Sequence, residues 1–327
     1  MLSVVHATTS FEGALRDAYA ECRRVARRHY ENFPVASYLV PRDKRDALAA
    51  IYAFARSADD FADEYRVDEK AASERLRLEK LADWRRKLEA AYAGQPVHPV
   101  FLALADSARR FDLSQQHFEN LLRAFELDVL VSRHENFQSL LDYCACSANP
   151  VGRLVLELFI PKERRDPKLF ELSDSICTAL QLANFWQDVR IDLERDRVYL
   201  PHDELASFGL SLEAVNRYLS PGAGRPAENW RRFLAFQVER TRELFIRGAE
   251  LPELAPRELR LQLRLTWLGG MEILYKIESA GYDVFRRRPS LGKLDFLRSY
   301  FRARGRRALS GTANSHRVSL GGMASRL

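Results

Sequence analysis

The sequence predicts an all-α protein built as a single helical bundle around a deep central cavity. Glycine and proline are sparse, at 15 and 13 of 327 residues, so long stretches contain no residue that interrupts a helix. Apolar residues recur at three- and four-residue spacing, for example at Leu81, Trp84 and Leu88. The alternating pattern that is typical of half-buried strands is hard to find, which also favours helices.

Ten helices are predicted from this periodicity. In chain order they span residues 11–30, 43–65, 69–93, 97–110, 114–131, 137–159, 167–194, 211–218, 227–249 and 256–281. The breaks fall where turn residues cluster, and apolar periodicity resumes on both sides of each break. One domain is therefore predicted over 1–295, followed by a basic C-terminal extension over 296–327. The small, polar residues from Gly311 onward are expected to be disordered.

The composition, 46% apolar and 29% charged, is typical of a folded soluble protein. No apolar run approaches the roughly 20 residues of a membrane span, and the N-terminus lacks a signal-peptide pattern. A cytoplasmic location is therefore expected. The four cysteines, Cys22, Cys144, Cys146 and Cys177, lack the ligand spacing of a zinc site and are expected to be free thiols.

The net charge is +6, and basic residues concentrate between Arg286 and Arg307. Such a segment could contact nucleic acid or an anionic membrane surface. Nucleic acid is disfavoured because few aromatic residues are interleaved and no recognition motif is present. Peripheral contact with the inner face of the membrane and a plain solvated surface both stay open.

The segment AIYAFARSADDFADE contains the first candidate metal site. Asp59 and Asp63 are four residues apart, so they share one helix face. Tyr52 and Arg56 lie earlier on nearly the same face, and Asp60 belongs to a neighbouring stripe. Like charges at this spacing destabilise a helix slightly, so a cation or open water must compensate. A solvated acidic face is the alternative, which the apolar residues before the segment disfavour.

A second acidic helix is predicted in the segment QLANFWQDVRIDLERDRVYLP. Asn184, Asp188 and Asp192 recur at four-residue steps along one stripe, which Gln181 and Arg195 extend. Buried unpaired carboxylates are costly, so this stripe makes little sense as core. Carboxylate and carboxamide oxygens suit Mg²⁺. Glycine-rich phosphate loops are absent, so any phosphate would be bound through metal ions.

Two such helices in one chain predict a specific chemistry. If they face each other, four carboxylates surround one cavity that would hold several Mg²⁺ ions and, through them, a diphosphate. A nearby arginine would stabilise the departing group. Loss of diphosphate from an allylic or cyclopropylcarbinyl carbon leaves a carbocation, so the rest of the cavity should be apolar and aromatic.

From about His29 to Leu291 the sequence resembles the squalene and phytoene synthases, the head-to-head trans-isoprenyl diphosphate synthase family. The resemblance rests on both acidic segments, on DYCACSANPVGRLVLELF and on GYDVFRRRP. HYENFPVAS, SANPVGRLVL and NFWQDV are most similar to the bacterial hydroxysqualene synthases of hopanoid biosynthesis. This similarity implies an isoprenoid-synthase-type bundle that uses Mg²⁺ to convert presqualene diphosphate and water to hydroxysqualene and diphosphate.

The resemblance also implies roles for individual residues. The metal ligands would be Asp59, Asp63, Asn184, Asp188 and Asp192. The catalytic residues would be Tyr52, Arg56, Tyr143 and Asn184. The substrate contacts would be His29, Asn32, Phe33, Arg56, Gln181, Arg195 and Arg287. The family's H-S-K-S-F run is HYENF here, and Gln187 stands where many relatives have arginine. Both differences remove positive charge, which favours a substrate with one diphosphate.

Two other functions stay open from the sequence. A different head-to-head synthase would form presqualene diphosphate, squalene or phytoene from two prenyl diphosphates. A non-catalytic assembly factor of the same fold is disfavoured, because such a protein has no reason to keep two costly acidic faces. If the chain does form hydroxysqualene, a separate presqualene diphosphate synthase is its expected functional partner.

Overall fold

The computed structural model describes residues 2–28, 40–63, 70–220 and 222–304. Its helices are α1 (Leu2–Arg28), α2 (Arg42–Asp63), α3 (Lys70–Tyr92), α4 (Pro99–Phe111), α5 (Gln115–Leu130), α6 (Phe137–Ser147), α7 (Asn149–Phe159), α8 (Pro167–Glu194), α9 (His202–Ser207), α10 (Leu212–Asn216), α11 (Glu228–Arg247), α12 (Leu251–Leu254), α13 (Arg257–Ser279) and α14 (Lys293–Arg304). These ranges contain no strand, and one isolated bridge joins Arg133 and Val198. The all-α prediction is confirmed.

Most of the long helices lie close to their predicted positions, whereas α1 begins at Leu2, nine residues before its predicted start at residue 11. The helix predicted over 137–159 is two helices, α6 and α7, which meet at Ala148. Pro150 explains the break, because proline lacks a backbone N–H and disfavours helical geometry at the preceding residue. The helix α14 was not predicted, and it runs across the boundary placed between residues 295 and 296.

The backbone groups into two compact units. Among the described residues, the first unit comprises those within 2–131 and 150–166, and the second comprises those within 132–149 and 167–304. The first acidic segment belongs to the first unit and the second acidic segment to the second unit.

In the first unit, α2 packs against α1, α3, α4 and α5. Ala50, Phe54 and Ala58 recur at four-residue steps along α2 and are buried. The Phe54 ring packs edge-on against Phe118 with centroids 5.1 Å apart, and the Trp84 indole N–H donates to the Phe54 carbonyl at 3.3 Å. These contacts fix the rotation of α2 about its axis, and with it the direction of the acidic face.

In the second unit, the long helix α8 packs against α6, α11 and α13. The Trp186 indole N–H donates to the Thr241 hydroxyl at 2.8 Å. Gly270 allows α13 to approach closely, because a Cβ there would lie 2.2 Å from Cζ of Phe245 and 3.0 Å from Cδ2 of Leu180. The helix that carries the second acidic segment is therefore held from several sides.

The four cysteines form no disulfide, as predicted. Burial raises the pKa of Cys22 and of Cys144 to about 12, so both stay protonated and unreactive at neutral pH. In the part of the chain that the structure describes, no helix combines the length and the hydropathy that crossing a membrane would need.

Candidate active site

The first half of the predicted site lies on α2. The Arg56 Nη1 donates to Oδ2 of Asp59 at 2.9 Å, and the same guanidinium pairs with Asp60. Burial would lower the pKa of Arg56, but the two carboxylates outweigh burial and raise it. Arg56 therefore stays charged and neutralises part of the acidic face. Asp60, which the sequence placed on a neighbouring stripe, joins Asp59 through this arginine.

The Arg56 side chain also has a hydrogen-bond donor without a partner. Its Nε is buried and makes no hydrogen bond to any described residue. Buried unpaired donors are rare in folded proteins, and one beside an acidic face is suited to bind an oxygen of a ligand. One turn earlier, burial raises the pKa of Tyr52, so its hydroxyl stays neutral and can donate a hydrogen bond.

The end of α2 is held by Arg77, which no motif in the sequence indicated. Arg77 of α3 is buried, and its Nη1 donates to the Ala62 carbonyl at 3.0 Å while its Nε donates to the Ser73 carbonyl at 3.3 Å. The last carbonyls of a helix have no partner within the helix, and a cationic donor there is stabilising. Because Asp63 directly follows Ala62, Arg77 fixes the turn that carries the second aspartate of the motif.

The second half of the site lies on α8 in the second unit. Asp188 makes a two-point ion pair with Arg288, whose Nη2 donates to Oδ2 at 3.0 Å and whose Nε donates to Oδ1. This hydrogen bond raises the pKa of Arg288 against the opposing effect of burial. The sequence pointed to Arg287 as the late arginine of the site, whereas the arginine that contacts the acidic motif is Arg288. The substrate contact predicted for Arg287 stays a prediction.

The three consecutive arginines at residues 286–288 form a segment that is attached to α8 on both sides of Arg288. The Arg190 Nη1 donates to the Phe285 carbonyl at 2.9 Å, and the Gln187 amide donates to the Pro289 carbonyl at 2.5 Å. Gln187 is buried in this contact. Its side chain therefore positions the segment 286–288, and the effect of this neutral residue on the charge of the diphosphate site stays a prediction.

Asp192 lies one turn beyond Asp188 and is difficult to ionise. Burial, together with the negative charge of Asp188, raises its pKa to about 7, although nearby arginines act in the opposite direction. Burial and the repulsion between these two carboxylates, four residues apart on one face, both oppose ionisation of Asp192. A cation bound there would relieve this repulsion.

The carboxylates of the two acidic helices could supply only part of the coordination shell of a Mg²⁺ ion. Within residues 40–63, 70–220 and 222–304, no three His, Cys, Asp or Glu side chains converge on one point. Enzymes that bind phosphates typically hold Mg²⁺ by one or two carboxylates, with water and phosphate oxygens as the other ligands. Asp188 and Asp192 in one unit, and Asp59 and Asp63 in the other, offer carboxylates in that number.

Tyr143 belongs to an aromatic cluster beside α8. Its ring centroid lies 6.0 Å from that of Phe185, 5.7 Å from that of Tyr199 and 5.7 Å from that of His134. Burial lowers the pKa of His134, so its ring is neutral at pH 7. The Tyr199 ring, which comes from the RVYLP run, stacks on Phe185. Aromatic rings of this kind stabilise a cation that lies against their faces.

The remaining predicted residues that the structure describes make fewer contacts that bear on the site. Asn184 is exposed on α8, Gln181 is partly buried, and Arg195 follows the end of the helix, where its charge lowers the pKa of Asp192. The predicted contacts His29, Asn32 and Phe33 lie outside the described residues.

The pKa of Asp192 predicts a specific pH dependence. Its ordinary value is 3.8, so the folded protein binds a proton that the unfolded chain releases, and this contribution to stability is lost as pH rises from about 4 to about 7. Asp192→Asn removes the titration. In EDTA, its Tm should exceed that of the wild type by several degrees at pH 8 and by less than about one degree at pH 4, where the carboxyl of Asp192 is protonated in the folded protein. A difference that is equal at both pH values, as expected for the exposed control Glu171→Gln, would contradict this.

A comparison with known proteins decides the family. The family model for squalene/phytoene synthase matches residues 26–295. The chain belongs to this family. It is 33% identical over 290 residues to the 15-cis-phytoene synthase of Synechococcus elongatus, covering 84% of this chain and 88% of that protein. The resemblance inferred from the motifs is confirmed, and the chain is an enzyme of the squalene and phytoene synthase type.

Two further relatives in the family carry a more specific name. The hydroxysqualene synthase of Zymomonas mobilis is 39% identical over 189 residues, which cover 58% of this chain and 60% of that protein. The crystal structure of squalene synthase HpnC from Alicyclobacillus acidocaldarius superimposes with a TM-score of 0.74 at 38% identity. The superposition covers 82% of this chain and 96% of the squalene synthase HpnC chain. The all-α family fold therefore extends over most of the protein.

Proposed function

We propose that this protein is a hydroxysqualene synthase that converts presqualene diphosphate and water to hydroxysqualene and diphosphate. The observation that carries the proposal is the order of the identities. The chain is 39% identical to a hydroxysqualene synthase and 38% identical to the squalene synthase HpnC, against 33% to a phytoene synthase. The segments NFWQDV and SANPVGRLVL, which suggested this subgroup from the sequence, lie on α8 and α6–α7.

The proposed reaction breaks the bond between carbon and the diphosphate oxygen. The electron pair leaves with diphosphate, and the cyclopropylcarbinyl cation that is left rearranges. Water then adds to the cation and loses a proton, which gives the alcohol. The family relationship and the acidic helices support this order of steps, because diphosphate is a good leaving group only when its charge is neutralised.

We assign the following roles to the residues of this chain. Asp188, Asp192, Asp59 and Asp63 would hold Mg²⁺, which when bound supplies positive charge for the departing diphosphate. Arg288 would exchange the Asp188 carboxylate for a diphosphate oxygen as the ligand binds. This exchange is supported by the ion pair on α8, where Arg288 already acts as the counter-ion of Asp188 and therefore binds an anionic oxygen in this position.

Arg56 would donate its unpaired Nε–H to an oxygen of the substrate. Its two carboxylate partners, Asp59 and Asp60, hold the guanidinium in a fixed orientation. Tyr143 and the rings around it would shield the cation from bulk water until rearrangement is complete. The proposed substrate would come from a separate presqualene diphosphate synthase.

A second function is supported by a different observation. The phytoene synthase of Synechococcus elongatus matches over a longer span than the hydroxysqualene synthase, 84% against 58% of this chain. An enzyme of that kind would join two prenyl diphosphates, and its product would contain no hydroxyl group.

Product analysis separates the two functions. The purified protein and Mg²⁺ would be incubated with presqualene diphosphate, farnesyl diphosphate or geranylgeranyl diphosphate in separate tubes without NADPH, and the products identified by mass spectrometry. We expect hydroxysqualene from presqualene diphosphate and no turnover of the other two. Consumption of farnesyl or geranylgeranyl diphosphate would assign the protein to the condensing synthases. Turnover of none of them would favour a non-catalytic assembly factor.

A further inference from the structure

We propose that α14 docks the enzyme on an anionic membrane surface, a role that does not depend on which prenyl diphosphate it uses. Leu294, Leu297 and Phe301 are 70%, 49% and 65% exposed. Their steps of three and four residues place them in one stripe along the helix. A contiguous exposed stripe of large apolar side chains is unusual on a protein surface and marks a site of interaction.

Basic side chains border this apolar stripe on both sides. At 100° per residue, Arg298 and Arg302 lie along one edge, and Lys293 and Arg304 lie along the other. All four are exposed. The one acidic residue of α14, Asp295, lies on the opposite side of the helix. A helix with an apolar stripe between rows of Lys and Arg is suited to lie in the plane of a lipid interface.

The inward face of α14 is fixed to α13, so the stripe is presented by an ordered helix. The Asp295 carboxylate pairs with Lys276 at 2.9 Å and accepts the Gly292 N–H at 2.7 Å. At the other end, Ala303 is buried and its carbonyl accepts from Nη1 of Arg264 at 3.0 Å. Binding to a surface therefore does not require the helix to fold first, which removes an entropic cost.

A basic cavity beside α14 extends the positive surface. It has a volume of about 960 Å³, and its wall contains seven basic and three acidic side chains. Arg298 belongs both to this wall and to the border of the apolar stripe, while Arg225, Arg231 and Arg286 contribute further positive charge. Anionic headgroups match this charge, whereas a second copy of the same basic surface would be repelled. The charge pattern thus favours a lipid surface over self-association.

The test is sedimentation of the full-length protein with vesicles. One set contains phosphatidylcholine alone, and the other contains phosphatidylcholine with phosphatidylglycerol. We expect partitioning to be at least about tenfold stronger on the anionic vesicles and to weaken as salt is raised. The double variants Leu297→Ser/Phe301→Ser and Arg298→Glu/Arg302→Glu should each lose about tenfold or more. Their Tm values should stay close to that of the wild type, because the four positions are exposed.

Matched control variants show whether the effect belongs to this surface. Val97→Ser/Leu130→Ser removes apolar side chains that are 76% and 61% exposed in the first unit. Arg123→Glu/Arg247→Glu makes the same change of charge at exposed positions elsewhere. Equal binding to both vesicle types, or equal losses in controls and α14 variants, would overturn the proposal. A different result would also overturn the proposal: the wild type binds no vesicles, forms dimers in light scattering, and loses those dimers in Leu297→Ser/Phe301→Ser. The stripe on α14 would then be a contact between copies of the protein.

Discussion

Asp188→Asn is expected to lower the turnover of presqualene diphosphate by at least about 10³-fold in the presence of Mg²⁺. The substitution removes a proposed metal ligand and also the carboxylate that holds Arg288, so two sources of positive charge at the leaving group are affected. Steady-state release of diphosphate measures the effect. The variant should remain folded, because removal of one of two crowded carboxylates relieves the repulsion that raises the pKa of Asp192.

The matched control for Asp188→Asn is Glu171→Gln, which makes the same change from carboxylate to amide on an exposed position of α8. We expect the activity of the control to stay within about twofold of the wild type. If Asp188→Asn retained activity within tenfold while folded, the Asp188 carboxylate would not be needed to remove diphosphate.

Arg56→Gln should lower turnover by about 10²-fold or more, which is the usual effect of losing a charged donor to a departing group. The glutamine cannot neutralise Asp59 and Asp60, and it does not restore the unpaired guanidinium donor. Arg56→Lys keeps the charge but not the planar arrangement of donors, so it should recover only part of the activity. Turnover and Tm would be measured on both variants.

The control for Arg56 is Arg86→Gln. Arg86 pairs with Asp83 at 3.1 Å across the same three-residue spacing, but on an exposed surface of α3. Loss of an exposed ion pair of this kind has little effect on stability, and no effect on activity is expected. Equal losses of activity in the two variants would show that Arg56 acts through helix stability and not at the substrate.

The sequence predicted the long helices because their buried faces are apolar at helical spacing, whereas α14 lacks that signal. Its inward face carries Asp295, Ser299 and Ala303, and its large apolar residues point outward. Periodicity alone therefore could not relate this helix to a core. The break before α7 was visible in the sequence, since Pro150 stands within the helix predicted over 137–159.

The features of the candidate site that depend on the spacing within a single helix could be predicted from the sequence. The four-residue spacing placed Asp188 and Asp192 on one face of α8, and the structure agrees. The choice between Arg287 and Arg288 depends on how a loop is attached to α8, and three consecutive arginines carry no signal that distinguishes them. The contact of Arg77 with the end of α2 depends on how two consecutive helices pack, which the spacing within either helix does not indicate.

The most direct test of the proposed chemistry is the origin of the product oxygen. Presqualene diphosphate would be incubated with the enzyme and Mg²⁺ in water labelled with oxygen-18, and both products analysed by mass spectrometry. Ionisation at the carbon–oxygen bond followed by capture of water predicts one labelled oxygen in hydroxysqualene and none in the released diphosphate. An unlabelled alcohol together with labelled diphosphate would mean attack of water at phosphorus, and would contradict a carbocation mechanism.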